Sequence, residues 1–394
     1  MNDDESLIRL CSIKDIGSVT ARRLIRAFGS AEAVLKASKE QLMSVERIGQ
    51  KLATGIIAGA DTDISDALRR MGKAGARYIS YKNAEYPKML GQIQEAPVGL
   101  YAVGRCNFNA PAIAIVGSRN CTIYGQMTAR KFASALAAAG YTIISGMARG
   151  IDAMAHLGAI ESGGKTIAVL GSGVDVVYPP EHEDLYKKIV DNGAVISEFP
   201  MGARADRQNF PIRNRIVAAM ALATLVVESD LKGGSMITAR LASEYGRDVF
   251  AIPGRIDSAM SRGCNALIRD GAVLVSSPQE IIEQLKFGER VQMSLFFGDN
   301  PPAPISGESG AAKDLKPKRN AQASEPREQS NVASDLSQDE LILYNAIKKQ
   351  RSIHIDLLPE ISGFEMRKCL PLLTMLELKR LVKKSAGGIF EIID

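Results

Sequence analysis

Ile113-Ala114-Ile115-Val116-Gly117-Ser118-Arg119 is a short, continuously apolar run that stops abruptly at glycine, serine and arginine. From about Gly125 to Ala139 the pattern turns helical, apolar on one side, and Gly140 closes it. Tyr141-Thr142-Ile143-Ile144 repeats the apolar run, and Ser145-Gly146 ends it. Strand, helix and strand in this order make a βαβ unit. A strand with no polar alternation is buried on both faces, as in a parallel sheet between two helical layers.

The same alternation continues to about residue 288. A helix near 152–161, a strand Thr166–Leu170, a helix near 182–191 and a strand Ala194–Ser197 come first. The stretch Phe210-Pro211-Ile212-Arg213-Asn214-Arg215 and a helix follow. Strand Thr224–Val227, a helix near 235–245, strand Val249–Ile252 and a short strand Val273–Val275 complete the series. The expected fold class is α/β: a Rossmann-like, doubly wound, mostly parallel sheet that binds ligands at the carboxyl ends of its strands.

The flanks read differently. Residues 1–80 are expected to form short helices in a small all-α domain. Asp15-Ile16-Gly17, with Ala21 and Ile25, matches Arg47-Ile48-Gly49, with Ala53 and Ile57, at a constant offset of 32 residues. A glycine turn that opens a helix directs backbone N–H groups outward, where they can hold a phosphate. The pair resembles tandem helix-hairpin-helix (SAM-like) motifs, although Val19 and Lys51 stand where each hairpin usually has its second glycine. Residues 81–109 read as a connector packed on the sheet domain (81–297), with Leu100–Val103 as a short strand. Residues 298–335 are rich in Pro, Ser, Gly, Ala, Lys and Glu and are expected to be a disordered tether. Residues 336–394 regain helical spacing at Leu336–Lys349, Ile355–Ile361 and Glu365–Lys379. A hairpin of Leu381–Lys384 and Ile389–Ile392 follows. Three helices and a two-stranded wing resemble a winged-helix domain.

Composition narrows the function. A net charge of +5 over 394 residues permits a polyanionic partner without demanding one. The five cysteines are far apart, which predicts isolated thiols in a reducing cytoplasm. The three histidines lack partners at metal-ligand spacing. No apolar run reaches the roughly 20 residues of a membrane span.

Candidate chemistry gathers at the strand ends. Gly117, Ser118 and Arg119 follow one strand, and Gly146 begins the loop to Gly150-Ile151-Asp152. Lys232-Gly233-Gly234-Ser235 opens the helix near 235–245, and Arg207 precedes Phe210. Glycines let the backbone approach a phosphate, helix N-termini supply oriented donors, and arginine forks match phosphate oxygens. Phe210 can stack on a base, worth roughly 1–3 kcal/mol. Arg213 and Arg215 are two apart and cannot share a helix face; one faces a ligand and the other pairs internally, or both pair internally at a helix start. Asp152 and His156, four apart, have the spacing of an acid/base pair or of a structural hydrogen bond. No G-x-G-x-x-G fingerprint is present. Gly163-Gly164-Lys165-Thr166 leads into a strand rather than a helix, which excludes a P-loop. No cofactor is expected.

These loops, in this order, resemble the DNA-processing protein A family (DprA/Smf). The resemblance rests on Val116-Gly117-Ser118-Arg119, Ser145-Gly146 through Gly150-Ile151-Asp152 with His156, and Tyr178-Pro179. It continues through Ser197-Glu198, Phe210-Pro211 with Arg213-Asn214-Arg215, Gly234-Ser235 with Thr238-Ala239, Pro253-Gly254, and Gly263 with Asn265. It implies a non-enzymatic protein that binds single-stranded DNA, forms a homodimer and loads RecA recombinase in natural transformation, with a possible contact to single-strand-binding protein. Its DNA pocket maps onto Ser118, Arg119, Arg207 and Phe210. Gly117, Gly146, Arg213, Asn214, Arg215, Lys232, Gly234 and Ser235 complete the candidate DNA-binding set. Gly233 stands where the family pattern has serine. A rival resemblance is to phosphoribohydrolases that cleave nucleoside monophosphates, whose P-G-G-x-G-T-x-x-E loop supplies a glutamate. Aligned on Gly234-Ser235, that glutamate falls on Thr238, which cannot stabilise an oxocarbenium-like centre.

Overall fold

Residues 3–74 wind into α1 (Asp3–Ser12), α2 (Ser18–Phe28), α3 (Ala31–Leu35), α4 (Lys39–Met43), α5 (Gln50–Gly59) and α6 (Ser65–Ala74). Local chemistry sets the boundaries. Ser30 and Ser38 accept the Ala33 and Gln41 N–H groups, the latter in a capping box. Gly29, left-handed at φ 87°, ends α2. The two related segments fold alike. Asp15 and Arg47 take φ 68° and 65°, and Gly17 and Gly49 serve as N-caps of α2 and α5 with ψ 173° and 171°. The repeat breaks at Ile57, which is 44 % exposed, while Ile56 takes the core position.

The structure is a computed structural model that describes residues 3–286. Further on it describes 338–350, 352–354, 357–362, 381–385 and 389–392, with isolated positions between 364 and 379. It divides into two units, Met1–Pro304 and Ile305–Asp394.

In the first unit the sheet strands are β1 (Arg77–Ser80), β2 (Gly99–Gly104), β3 (Ala112–Val116), β4 (Thr142–Ser145), β5 (Thr166–Val169), β6 (Gly193–Ser197), β7 (Ala223–Val226), β8 (Asp248–Ala251) and β9 (Val273–Leu274). Their order is β1-β2-β6-β5-β4-β3-β7-β8-β9. From β3 onward neighbours are parallel; β1/β2 and β2/β6 are antiparallel. The connecting helices are α7 (Lys88–Gly91), α8 (Ile123–Ala138), α9 (Ile151–Glu161), α10 (Glu183–Asn192), α11 (Asn209–Met220), α12 (Gly234–Glu244) and α13 (Ala259–Arg269).

Two expectations change. Arg77–Ser80 is a strand, not part of the helical domain, and with β2 it turns the expected connector 81–109 into the antiparallel edge of the sheet. Four residues are too few to show a period. Pairing across the sheet decides their state: Tyr78 opposes Tyr101, with ring centroids 5.0 Å apart.

Strand alternation explains the double layer. Ile113 and Ile115 pack with Phe132, Leu136 and Ile151 on the α8/α9 side. Ala112, Ala114 and Val116 pack with Ile216, Val217 and Ala219 of α11 on the other. A third core joins Leu7, Leu24 and Val34 of the N-terminal helices to Tyr101, Val103, Val195 and Ile189. The helical region and the sheet therefore share apolar interior. Strand order reverses at β3, with β4 on one side and β7 on the other. Such a switch point opens a crevice at the strand carboxyl ends.

In the second unit, helix Gln338–Gln350, β10 (Ser352–His354), helix Leu358–Ser362, β11 (Val382–Ser385) and β12 (Ile389–Ile392) surround Leu343, Ile347, Leu373 and Phe390. The expected hairpin forms between β11 and β12. Ser352–His354 adds an unexpected antiparallel strand beside β12, and the short helix is described over Leu358–Ser362, Ile355 lying outside the described residues. Residues 287–297, the stretch 298–335, the turn Gly387-Gly388 and most of Glu365–Lys379 lie outside the described residues. Among the described residues no helix is long and apolar enough to cross a membrane.

Candidate nucleic-acid interface

Three loops at the switch point are tied to one another. The Ser118 N–H donates to Glu228 O at 2.7 Å. The buried Glu228 carboxylate accepts from Thr122 N (2.8 Å) and Thr122 Oγ1 (2.6 Å), and Thr122 in turn caps α8. Asp152 Oδ2 accepts the Gly146 and Ala148 N–H groups at 3.2 and 3.4 Å, closing the loop after β4. Gly150, at φ 74°, passes so close to Ser118 O and Arg119 O that a Cβ would collide with them. After β7, Ser235 Oγ meets Ser229 Oγ at 2.8 Å, and Gly233 precedes α12 without any side-chain cap.

Helix α11 begins at Asn209, so the Phe210–Arg215 stretch lies inside the helix rather than across its entrance. Pro211 sits in the first turn, where its missing N–H costs nothing. Two residues apart, the arginines diverge. Arg215 turns away from the crevice. It holds both carboxylate oxygens of Glu198, and donates to Ser18 Oγ (3.1 Å), Ile212 O (2.9 Å) and Glu95 O (3.0 Å). Its placement among the ligand-facing residues is therefore corrected: its donors are consumed internally, where its charge is already neutralised. Arg213 points into the crevice and is 4 % exposed. Burial lowers its pKa to about 10, with Asp152 opposing and Arg119 adding to the shift. Gly146 lies beneath it, where a Cβ would overlap the guanidinium.

The resulting cleft measures about 740 Å³. Gly117, Ser118, Arg119, Arg207, Phe210, Arg213, Asn214, Gly234 and Ser235 line it. Gly146, Arg215 and Lys232 do not: the first supports Arg213, the second faces away, and the third is exposed on the approach to α12. Arg119 lies 4.7 Å above the Phe210 ring, and Tyr178 lies 5.6 Å from it. Asn214 Nδ2 donates to Gly234 O at 3.3 Å, joining α11 to α12. Sequence reasoning gave no role to Asn120, Tyr178 or Asp230, which also line the cleft. The Tyr178-Pro179 motif was the one available signal.

Asp152 and His156 do not form an acid/base pair. His156 Nδ1 bonds Thr166 Oγ1 at 2.7 Å, inside the sheet layer, and burial lowers its pKa to about 3. Burial raises the Asp152 pKa, while Arg213 pulls the other way. Thr238, 2 % exposed, lines the cleft where the rival pattern has glutamate. Among the described residues no His/Cys/Asp/Glu cluster could hold a metal ion. In the helical region the first hairpin is engaged, since Ser18 Oγ donates to Glu198 at 2.9 Å. Gly49, Gln50 and Lys51 of the second are exposed.

A family model described as DNA recombination-mediator protein A matches residues 77–286, and one described as a SAM-like helix-hairpin-helix tandem matches 7–62. The chain is 37 % identical over 280 residues to Protein Smf of Synechocystis sp., covering 69 % of this chain and 70 % of that protein. It is 36 % identical over 268 residues to DNA processing protein DprA of Streptococcus pneumoniae, covering 64 % of this chain and 94 % of that protein. The X-ray structure of DprA from Streptococcus pneumoniae aligns with a TM-score of 0.63 at 31 % identity, covering 72 % of this chain and 98 % of that one. With the first model spanning more than half of its length, and with the mostly parallel sheet and its switch-point cleft in place, the chain belongs to the DNA-processing protein A (DprA/Smf) family.

Proposed function

We propose that this protein binds single-stranded DNA in the switch-point cleft and loads a RecA-type recombinase onto it, protecting incoming DNA during natural transformation or recombination. One observation carries the reading: a single cleft brings Arg119, Arg207 and Arg213 around Phe210. Arginines neutralise phosphates without reading sequence, and an aromatic ring stacks on any base. Arg119 and Arg207 take phosphates, Phe210 with Tyr178 takes a base, and Ser118, Gly117, Asn214, Gly234 and Ser235 supply backbone and side-chain hydrogen bonds. Gly146 acts by making room for Arg213. Lys232 extends the positive approach.

The remaining assignments follow the family. The protein acts as a homodimer in the cytoplasm and contacts RecA, with single-strand-binding protein as a further candidate partner. Residues 298–335 tether a C-terminal winged-helix domain, 336–394, which serves protein contact at least as well as DNA reading. The role is non-enzymatic: Thr238 offers no carboxylate for chemistry at a glycosidic carbon.

Fluorescence anisotropy of a labelled oligothymidine, in a salt series and with duplex competitor, tests the reading. Salt-sensitive binding that duplex fails to displace supports it. Arg119→Ala and Arg207→Ala are each expected to weaken binding and reduce the salt slope by about one. Phe210→Ala is expected to weaken binding by about 1–3 kcal/mol at an unchanged slope. Wild-type affinity in all three variants would sink the site. Release of ribose phosphate from nucleoside monophosphates would favour the phosphoribohydrolase instead.

A further inference from the structure

The floor and the rim of the cleft are built differently. Arg119 and Arg207, on the rim, are exposed. Arg213, on the floor, is 4 % exposed, and its Nε has no hydrogen-bond partner among the described residues. The carboxylate whose field it feels, Asp152, already accepts the Gly146 and Ala148 N–H groups. A buried guanidinium with an unpaired Nε, facing a carboxylate already engaged by backbone N–H groups, is costly to the folded chain, and an incoming anion relieves that cost. Gly146 keeps the space open for it, since any side chain there would overlap the guanidinium. Across the cleft stands the N-terminus of α12, eleven residues long and uncapped by any side chain, with Gly234 and Ser235 on the wall. Uncapped first-turn N–H groups and a buried arginine make a recessed anion site.

A recessed site selects among phosphates. An internal phosphodiester carries a sugar on each side and one negative charge, so both arms of the strand must leave the cleft. A terminal phosphomonoester carries one sugar, three free oxygens and a charge of about −1.5 to −2 at neutral pH. It can enter end-on. The cleft volume, about 740 Å³, is large enough to take a nucleotide. Phe210 and Arg213 are three residues apart on α11, so they are neighbours on one face of the helix. A base on Phe210 thus sets its own phosphate beside Arg213.

We infer that Arg213 receives the terminal phosphomonoester of a single strand, with the end nucleotide's base on Phe210 and the rest of the strand leaving over Arg119 and Arg207. This rests on the single-strand reading of the cleft and adds an end preference to it.

The test is a competition series on the full chain. Unlabelled oligothymidines of one length, ending in a 5′-phosphate, a 3′-phosphate or hydroxyls at both ends, displace a labelled oligomer. One phosphorylated oligomer is expected to compete at least tenfold better than the hydroxyl-ended one, and the series identifies which end is held. The preference is expected to shrink as pH falls through about 6, where the monoester loses its second charge. It is expected to collapse in Arg213→Gln and to survive in part in Arg213→Lys, which keeps the charge but loses the fork. Equal competition by all three oligomers overturns the end site and leaves single-strand binding standing. Failure of every oligomer to bind overturns both. If thymidine 5′-monophosphate competes as well as the phosphorylated oligomer, the site is for a mononucleotide and the strand-end assignment falls. The wild-type series decides the question even if Arg213→Gln does not fold.

Discussion

Gly146 and His156 show how single positions divide between the site and the scaffold. A methyl group at Gly146 would overlap the Arg213 guanidinium, which is the far end of a flexible side chain. Gly146→Ala is therefore expected to cost only about 1–3 kcal/mol of stability. By displacing the guanidinium it should also lower the affinity for single strands about tenfold, or ~1.4 kcal/mol. Thermal melts beside anisotropy check this; an unchanged affinity would show that Arg213 does not take part. His156 belongs to the scaffold. Thr166 Oγ1 donates to Ile143 O at 2.8 Å, so the proton between Thr166 and His156 sits on Nδ1, and Nε2 is left buried without a partner. Charging the ring in the folded state is unfavourable, and its pKa falls to about 3. The unfolded chain takes up this proton below pH ~6.5 while the folded chain does not, so stability is full above that pH and is lost as pH falls. Between pH 6.5 and 5 the loss from this group is about 2 kcal/mol. Urea titrations of wild type and His156→Asn across that window measure it, and identical slopes would refute it.

At the scale of the element, α11 is a two-sided part. One face carries Phe210 and Arg213 into the cleft, and the other sends Arg215 to Glu198 and Ser18. The Arg215 and Glu198 side chains are only 11 % and 9 % exposed. Breaking such a pair leaves an uncompensated charge in a poorly hydrated place. Glu198→Ala is expected to destabilise the protein by about 3–5 kcal/mol. An apolar replacement of both partners, Arg215→Met with Glu198→Leu, should recover most of that. A double-mutant cycle in urea gives the answer; additive losses would mean that the two side chains are not coupled. The same ion pair engages the start of α2 through Ser18, while the glycines of both turns, Gly17 and Gly49, are exposed.

At the scale of the molecule, the N-terminal helices and the sheet are not separable beads. Leu7, Leu24, Val34 and Ile56 share one core with Tyr78, Tyr101, Val103 and Val195. Truncation before β1 would strip the cover from that face of the sheet, and exposed apolar patches of this kind drive association. A chain starting near residue 76 is expected to bind a hydrophobic dye and to aggregate with rising concentration. A monodisperse fragment of undiminished stability would argue that the helical region is an independent appendage.

The sequence alone determined the doubly wound sheet and most of its strands, because uninterrupted apolar runs ending in small residues have few other uses. It also placed the candidate loops at the strand carboxyl ends, since in a parallel sheet every such end falls on one edge. The paired glycine turns at Gly17 and Gly49 were legible because their signal is local: each glycine caps the helix that follows it. Only the tertiary structure decided the rest. Arg77–Ser80 became a strand because Leu100 and Tyr101 were there to pair with it. Which of Arg213 and Arg215 faces the cleft depended on Glu198 and Gly146, residues outside α11 that spacing within the helix cannot reveal. Side-chain direction and charge pairing are long-range properties, settled when distant segments meet and one partner is near enough to neutralise the other.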